Sequence, residues 1–160
     1  MASDRKLSFP VPDIKLWDLE NPLLYEVKTE LLQNGNVLDE NITLFGFRTA
    51  VFLQDGFYLN GKKVKLRGLN RHQSYPYVGY AMPESMQKLD ADLLKRELGL
   101  NAVRTSHYPQ SHYFLERCDE LGLLVFTEFP GWQHIGDDTW KAQAVVNAED
   151  MIRQYRNHPS

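Results

Sequence analysis

The chain has 160 residues, 42% of them hydrophobic and 24% charged, which is typical of an ordinary globular domain. Its net charge of -3 provides no basic stripe for phosphates, and its apolar runs are too short to cross a bilayer, so we expect neither a nucleic acid nor a membrane as a partner. The single cysteine, Cys118, excludes an internal disulfide, and the polar N-terminus lacks the apolar core of a secretion signal, so we expect a cytoplasmic protein.

The first third of the chain has the residue pattern of an antiparallel sheet. Apolar and polar residues alternate from Leu24 to Leu31, and an Asn-Gly turn at 34–35 predicts a hairpin whose second strand covers residues 37–43. A further strand is predicted over residues 45–53. Such strands are typical of a β-sandwich, but three or four of them cannot form two sheets with their own core. This region therefore either contacts a partner surface or is an incomplete sandwich.

After residue 53 the pattern changes to strands that alternate with helices. A short hairpin over residues 55–63 comes first, and three βα units follow it. Consecutive βα units predict a parallel sheet with right-handed crossovers, which is an α/β architecture. A complete eight-stranded barrel needs ~250 residues, so the 97 residues from 64 to 160 predict about three of its units. The predicted strands cover 64–69, 102–105 and 123–128, and the predicted helices cover 84–98, 111–121 and a third segment that Asp138 or Thr139 caps and that ends before Pro159.

The apolar residues of these helices predict which faces are buried. The first helix has its apolar positions at Met86, Leu89, Leu93, Leu94 and Leu98, and Leu93 is expected to be buried. Cys118 lies on the apolar face of the second helix, where core packing explains it better than nucleophilic catalysis. We expect the third helix to bury one apolar stripe, which consists of Trp140, Ala144, Val145, Ala148, Met151, Ile152 and Tyr155.

Polar side chains collect at the carboxyl ends of the predicted strands, which is where parallel barrels hold their active sites. Asn70, Arg71 and His72 end the first strand, His107 follows the second, and Glu128 ends the third. Imidazole and amide groups at this edge can hydrogen-bond the hydroxyls of a polar ligand. Each residue taken alone is equally well explained as a satisfied polar group of a loop or of the core.

Other titratable residues are assigned more ordinary roles. Arg67 and Arg104 lie within strands and are predicted to form ion pairs, with Glu128 either as the partner of Arg104 or as a ligand contact. His112 and His158 are expected to be solvated. No metal site is predicted, because no spacing such as H-x-H or C-x-x-C occurs. Several loop aromatics can pack on the C–H faces of sugars or on a protein partner, namely Tyr75, Tyr77, Tyr80, Tyr108, Phe129 and Trp132.

Four segments, in the correct order, resemble glycoside hydrolase family 2, the family of β-galactosidases and β-glucuronidases. The most specific covers residues 101–126, where Asn101, Arg104, the His-Tyr-Pro run at 107–109 and the Gly122 that precedes four apolar residues are similar to the family signature. The other three segments are 45–48, which resembles the exit from the family's sandwich, 57–61, its linking hairpin, and 66–72, its first barrel strand. In addition to these four, residues 16–31 resemble the middle strands of its immunoglobulin-like domain.

The resemblance implies a partial TIM barrel of about three βα units, preceded by antiparallel strands from an incomplete immunoglobulin-like β-sandwich. Residues 1–53 would be the C-terminal strands of the sandwich, and residues 54–160 the N-terminal part of the barrel. The resemblance also implies a retaining glycosidase with two glutamates, an acid/base after the fourth barrel strand and a nucleophile later in the chain. Both would lie beyond Ser160, so we expect the chain to hold no catalytic residue and to be inactive alone.

By the same resemblance, His72 and His107 correspond to family histidines that contact the sugar. Glu128 and Trp132 are further substrate-binding residues. The implied partner is a carbohydrate, and the expected substrates are β-galactosides. A β-glucuronidase, a β-mannosidase, and a non-catalytic carbohydrate-binding or interaction module are the alternatives.

The resemblance does not carry over a metal ion or any other cofactor. The loop FPGWQHIGD, residues 129–137, departs from the pattern of the best-known β-galactosidases, so their magnesium or sodium ion is not transferred to this chain. Open strand edges at Val64 and Leu123 would favour self-association.

Overall fold

The computed structural model describes residue 8 and residues 10–160. This part of the chain contains three small sheets and three α-helices. None of its helices combines the length and the apolar composition that a membrane span requires. The strands are β1 (Tyr25–Gln33), β2 (Asn36–Phe45), β3 (Ala50–Leu53), β4 (Gly56–Leu59), β5 (Lys62–Val64), β6 (Gly68–Arg71), β7 (Ala102–Thr105) and β8 (Leu124–Phe126). The helices are α1 (Glu84–Asp92), α2 (His112–Leu121) and α3 (Asp138–Tyr155). α1 continues as a π-helical turn (Leu93–Glu97).

The first sheet is the predicted hairpin of β1 and β2. Its antiparallel register pairs Tyr25 with Phe45 at the open end. Asn34 and Gly35 form the turn with positive φ angles of 53° and 82°, which these two residue types adopt readily. Both faces of the hairpin are exposed, so it contributes little to the core.

The second sheet has the order β3-β4-β5 and shows that the strand predicted over 45–53 is wrong. Four residues that belong to no strand separate β2 from β3. Their hydrogen bonds go elsewhere, since the Trp17 N–H donates to the Phe47 carbonyl at 2.8 Å. A Cβ added to Gly46 would stand only 2.7 Å from the Pro159 ring. The chain leaves the sheet here because it packs against the segment after α3.

The third sheet is the predicted parallel sheet, in which β7 lies between β6 and β8. Its register sets Asn70 beside Arg104 and Arg104 beside Phe126. α1 and α2 follow β6 and β7 in the chain and pack against each other. The carboxyl ends of the three strands therefore lie at one edge, as the βα pattern predicts.

Two predicted boundaries of this sheet are wrong. The strand predicted over 64–69 begins only at Gly68, because Val64 pairs with Phe57 in the second sheet. The strand predicted over 123–128 ends at Phe126. Beyond that point the Glu128 N–H donates to a side-chain hydroxyl rather than to a neighbouring strand.

The hydrophobic core lies between the parallel sheet and the helices α1 and α2. Cys118 is fully buried in it, and burial raises the pKa of its thiol, in agreement with the predicted packing role. A second buried cluster, made of Trp17, Phe57, Leu59 and Leu124, joins the segment before β1 to both β4 and β8. The main core consists of Ala91, Val103, Phe114, Leu115, Cys118, Leu121 and Leu123.

Two predictions of buried helix faces are wrong. Leu93 is 41% exposed, whereas Leu94 packs against the core, because Leu94 continues at helical spacing the face on which Gln87 and Ala91 are buried. α3 has no buried residue, and Val145 and Ile152 of its predicted stripe are 59% and 60% exposed. α3 contacts the core through Tyr155 in its last turn, which leaves much of the stripe open.

The start of α3 also differs from the prediction. Asp137, rather than Asp138 or Thr139, is the N-cap, and its carboxylate accepts the Trp140 N–H at 2.9 Å. Asp137 has the extended backbone that a capping residue requires, whereas Asp138 is already the first helical residue.

The predicted solvation of His158 is wrong. Its Nδ1 lies 2.6 Å from the buried carboxylate of Asp119, which also accepts the Ser160 N–H at 3.0 Å. Burial lowers the pKa of His158, but the hydrogen bond to Asp119 and the charges of Asp119 and Glu116 outweigh it, so the pKa is raised. The Trp17 indole donates to the Asp119 carbonyl at 2.7 Å. Asp119 thus joins α2 to the segments before β1 and after α3.

Candidate functional site

The carboxyl ends of the parallel strands bring three predicted site residues together. His72 directly follows β6, and His107 lies two residues after β7. Their rings meet edge to face, with centroids 5.3 Å apart. Trp132, in the loop after β8, lies beside His107 at a centroid distance of 5.4 Å and an interplanar angle of 34°. The structure thus places both histidines at one site, although a whole βα unit separates them in the sequence.

Glu128 joins His107 to β7. Its Oε2 lies 3.2 Å from His107 Nδ1, and its Oε1 accepts a hydrogen bond from Arg104 Nε. Its N–H donates to the hydroxyl of the fully buried Thr105 at 3.2 Å. Of the two alternatives for Glu128, the structure shows the ion pair with Arg104, and it adds His107 as a second partner. Both carboxylate oxygens are therefore held by the protein.

A second set of bonds ties the loop after β6 to the loop after β7. The Gln73 N–H donates to the Tyr108 hydroxyl at 3.0 Å, and the Ser111 N–H donates to the Gln73 side-chain oxygen at 2.8 Å. The Gln110 side chain donates to the Arg71 carbonyl at 2.8 Å. These bonds fix the separation of the two loops that carry the histidines. Sequence reasoning missed them, although a glutamine close to each strand-end histidine was the available signal.

Arg71 precedes His72, but its side chain is buried rather than placed at the site. Its guanidinium lies 2.7 Å from the Asp90 carboxylate, donates to Gln87 at 2.8 Å and stands 4.0 Å from the centre of the Phe114 ring. Successive residues of a strand point to opposite faces, so the backbone that buries Arg71 leaves His72 free to face the other way. Gln87 and Asp90, three residues apart in α1, were the sequence signal for a buried cation.

The predicted ion pairs of the strand arginines are right for Arg104 and wrong for Arg67. Arg67 is exposed, and within the described residues its side chain has no acidic partner. Its backbone is used instead, since its N–H donates to the Asn101 side chain at 2.7 Å. Asn101 also donates to the Lys65 carbonyl at 3.0 Å. The first residue of the 101–126 segment therefore fastens β7 to the chain before β6.

An open cavity of ≈ 570 Å³ adjoins the cluster and shares Arg104, Glu128 and Trp132 with it. Trp132 is 68% exposed there. Most of the other walls are apolar or aromatic, so flat apolar surfaces lie next to a polar edge. Such a site can stack on the C–H face of a sugar while imidazoles bond its hydroxyls. The other lining residues include Phe126, Phe129, His134, Ile135 and Trp140.

The side chains around His107 are joined to one another by hydrogen bonds. In residues 8 and 10–160, no three His, Cys, Asp or Glu side chains are grouped in a way that could hold a metal ion. Glu128, the carboxylate beside His107, already accepts a hydrogen bond from Arg104.

Comparison with known proteins gives one family for both parts of the chain. Residues 51–160 match "Glycosyl hydrolases family 2, TIM barrel domain", and residues 2–48 match "Glycosyl hydrolases family 2". Among the curated relatives is a β-galactosidase of Thermoanaerobacterium thermosulfurigenes, which is 65% identical over 148 residues, or 92% of this chain and 20% of that protein. A putative β-glucuronidase of Formosa agariphila is 44% identical over 148 residues, or 91% of this chain and 18% of that protein.

A solved structure supports the same assignment. The apo structure of Bacteroides uniformis β-glucuronidase 3 matches with a TM-score of 0.82 and 43% identity, and the match covers 91% of this chain and 19% of that one. The chain thus spans about a fifth of the length of the relatives that it matches. Because family 2 covers both parts of the chain and the relatives are this similar, the chain belongs to glycoside hydrolase family 2.

Proposed function

We propose that the chain supplies the sugar-binding histidines of a retaining β-glycosidase. In this proposal residues 1–53 are the last strands of an immunoglobulin-like sandwich, and residues 54–160 are the first three βα units of a TIM barrel. The small sheet β3-β4-β5 lies between the hairpin and the parallel sheet in the chain, and the two family matches divide between residues 48 and 51, close to the proposed boundary.

The observation that carries the proposal is the approach of His72 and His107 to 5.3 Å beside an exposed tryptophan. Two imidazoles can hydrogen-bond neighbouring hydroxyls of one sugar ring, and Trp132 can cover an apolar face of that ring. Donors that are fixed in place accelerate a reaction when they bind the charge of the transition state more tightly than the ground state. We therefore assign His72, His107 and Trp132 to the sugar, with Glu128 lining the cavity beside the histidines.

The catalytic carboxylates are proposed to come from outside this chain. A retaining mechanism requires two carboxyl groups ~5 Å apart, one as the acid/base and one as the nucleophile. Among the described residues, Glu128 is the one carboxylate in contact with His107, and its oxygens are engaged by Arg104 and His107. A carboxylate held in this way is unsuited to attack a sugar carbon. We therefore expect the chain alone to have no hydrolytic activity.

We propose β-galactosides as the substrates, because two β-galactosidases match at 65% and 58% identity. β-Glucuronides are the second candidate, since the β-glucuronidase structure matches at 43% identity. A hybrid enzyme tests both. In the hybrid, the residues of this chain replace the matching fifth of the Thermoanaerobacterium thermosulfurigenes β-galactosidase, and the product is assayed with nitrophenyl β-galactoside and β-glucuronide.

We expect the hybrid to hydrolyse the galactoside and the isolated chain to hydrolyse neither compound. In the hybrid, His107→Ala should lower kcat/KM by roughly 10²–10³, as the loss of a transition-state donor does. His112→Ala is the matched control, because His112 is an exposed histidine of α2. Equal activities of the two variants would remove His107 from the site, and sustained turnover by the purified chain would show that it needs no outside carboxylates.

The same chain, taken alone, would also serve as a non-catalytic carbohydrate-binding module if it bound sugars without the rest of a barrel. Titration with galactose and glucuronic acid distinguishes the two functions. We expect no measurable binding, because a pocket with an open side leaves most of a sugar in water.

We also propose that the chain self-associates through open strand edges, but the strands at these edges are not those that contain the predicted Val64 and Leu123. Leu123 is fully buried, and Val64 belongs to the second sheet. The outer strands of the parallel sheet are β6 and β8, where Leu69 and Phe126 are 52% and 60% exposed. Light scattering should show a mass that rises with concentration, and a constant monomer mass would contradict the proposal.

A further inference from the structure

We propose that Arg104 and Glu128 form a positioning pair that sets the tautomer of His107, with the ring proton on Nδ1, so that Nε2 accepts a hydrogen bond from a sugar hydroxyl. This proposal rests on the proposed function, because it takes the ligand of the pocket to be a sugar. It adds Arg104 to the site, and it makes Glu128 act through His107.

The protonation of His107 follows from the chemistry of its partner. Glu128 Oε2 lies 3.2 Å from His107 Nδ1, and an ionised carboxylate can only accept a hydrogen bond. Nδ1 must therefore carry a proton. In the neutral ring Nε2 then holds a lone pair, which can accept a hydrogen bond from a hydroxyl.

Arg104 holds the Glu128 carboxylate in place. Its Nε donates to Oε1, which is the oxygen that His107 does not use. A guanidinium is always charged at neutral pH and holds a carboxylate in a defined geometry. The Thr105 hydroxyl accepts the Glu128 N–H, so the backbone of Glu128 is also fixed. The carboxylate is thus left with one orientation, in which each oxygen has its own partner.

The orientation of the His107 ring is equally restricted. A half-turn of the ring would place a carbon opposite Glu128 and lose the hydrogen bond to Nδ1. The rings of His72 and Trp132, at 5.3 and 5.4 Å, limit larger movements. The side chain of His107 is 26% exposed, so part of the ring remains accessible to a ligand.

Nuclear magnetic resonance of the ring nitrogens of the ¹⁵N-labelled chain tests the inferred protonation. At a pH where the imidazole is neutral, we expect the proton of His107 on Nδ1 and not on Nε2, with the signals assigned by their loss in His107→Gln. Arg104→Gln should move His107 toward the form that is protonated on Nε2. Arg67→Gln, which removes an exposed arginine just before β6, should leave the signals unchanged. A proton on Nε2 in the unaltered chain would overturn the proposal without any variant.

The hybrid enzyme separates a positioning role from a purely structural one. Arg104→Gln should lower kcat/KM about 10- to 100-fold, because a misplaced group loses much of its effect. Arg104→Lys should restore part of the activity, and Arg67→Gln should retain all of it. An unchanged kcat/KM in Arg104→Gln would overturn the proposal. If the hybrid without these substitutions were inactive, only the proposed function would be contradicted. The nuclear magnetic resonance of the ring nitrogens would still show which nitrogen of His107 carries the proton.

Discussion

The parallel sheet and the β1–β2 hairpin contain similar apolar residues but differ in what covers them. Val103 in β7 is 1% exposed beneath α1 and α2, whereas Val27 in β1 is 46% exposed. A two-stranded hairpin has little stability of its own in water, whereas a sheet packed against helices does. The histidine cluster is attached to the better-packed region, so its geometry depends on the core rather than on the hairpin.

The largest expected difference between the two regions is in the stability that each loses when one large apolar residue is replaced by alanine. Phe114 is fully buried and Ile42 is 54% exposed. Phe114→Ala should lower the free energy of unfolding by ~3–5 kcal/mol, because it leaves a cavity in the core. Ile42→Ala should change it by less than ~1 kcal/mol. Urea denaturation measures both, and equal effects would mean that the hairpin contributes as much as the core.

Removal of the buried arginine should have the next largest effect on the better-packed region. Arg71 is 6% exposed, and its loss leaves Asp90, Gln87 and Gln110 without a donor. Arg71→Met should cost roughly 2–3 kcal/mol, because a buried polar group that loses its partner keeps its desolvation penalty. A second substitution, Asp90→Asn, should recover part of the loss. If Arg71→Met is neutral in urea denaturation, the network does not stabilise the fold.

The pH dependence of stability should report on how the segment after α3 is held against α2 in the better-packed region. The pKa of His158 is raised in the folded chain, mainly by Asp119 against the opposing effect of burial. Protonated His158 therefore stabilises the fold fully below its ordinary pKa of 6.5, and this stabilisation is lost as the pH rises through the raised value. Thermal melts between acidic and alkaline pH should show the decline.

The matched variants for this pH dependence are Asp119→Asn and His112→Gln. Asp119→Asn should flatten the decline, because it removes the charge that favours the imidazolium. His112→Gln should leave the decline unchanged, since His112 is exposed at the start of α2. A pH profile that is unaffected by Asp119→Asn would assign the decline to other groups.

Local signals predicted much of this fold, and tertiary contacts explain the errors. The Asn34-Gly35 turn and strand β7 follow from residues that lie next to each other in the chain. The boundary errors at 46–49 and at Val64 arise from contacts with Pro159 and with Phe57, which no local pattern contains. The positions of His72 and His107 could be predicted, because both residues follow the carboxyl end of a predicted strand. The bonds that orient His107 could not be predicted, because they depend on which oxygen of Glu128 faces which partner.

The smallest expected effect distinguishes two neighbouring leucines in the π-helical turn that continues α1. Leu93 is 41% exposed, whereas Leu94 packs against the core because it lies on the same helical face as the buried Gln87 and Ala91. Leu94→Ala should therefore lower the free energy of unfolding by ~1–2 kcal/mol, a partial form of the loss seen for fully buried leucines. Leu93→Ala should cost less than ~1 kcal/mol. A larger loss for Leu93→Ala in urea denaturation would mean that the helix buries the side that carries Leu93 rather than the side that carries Leu94.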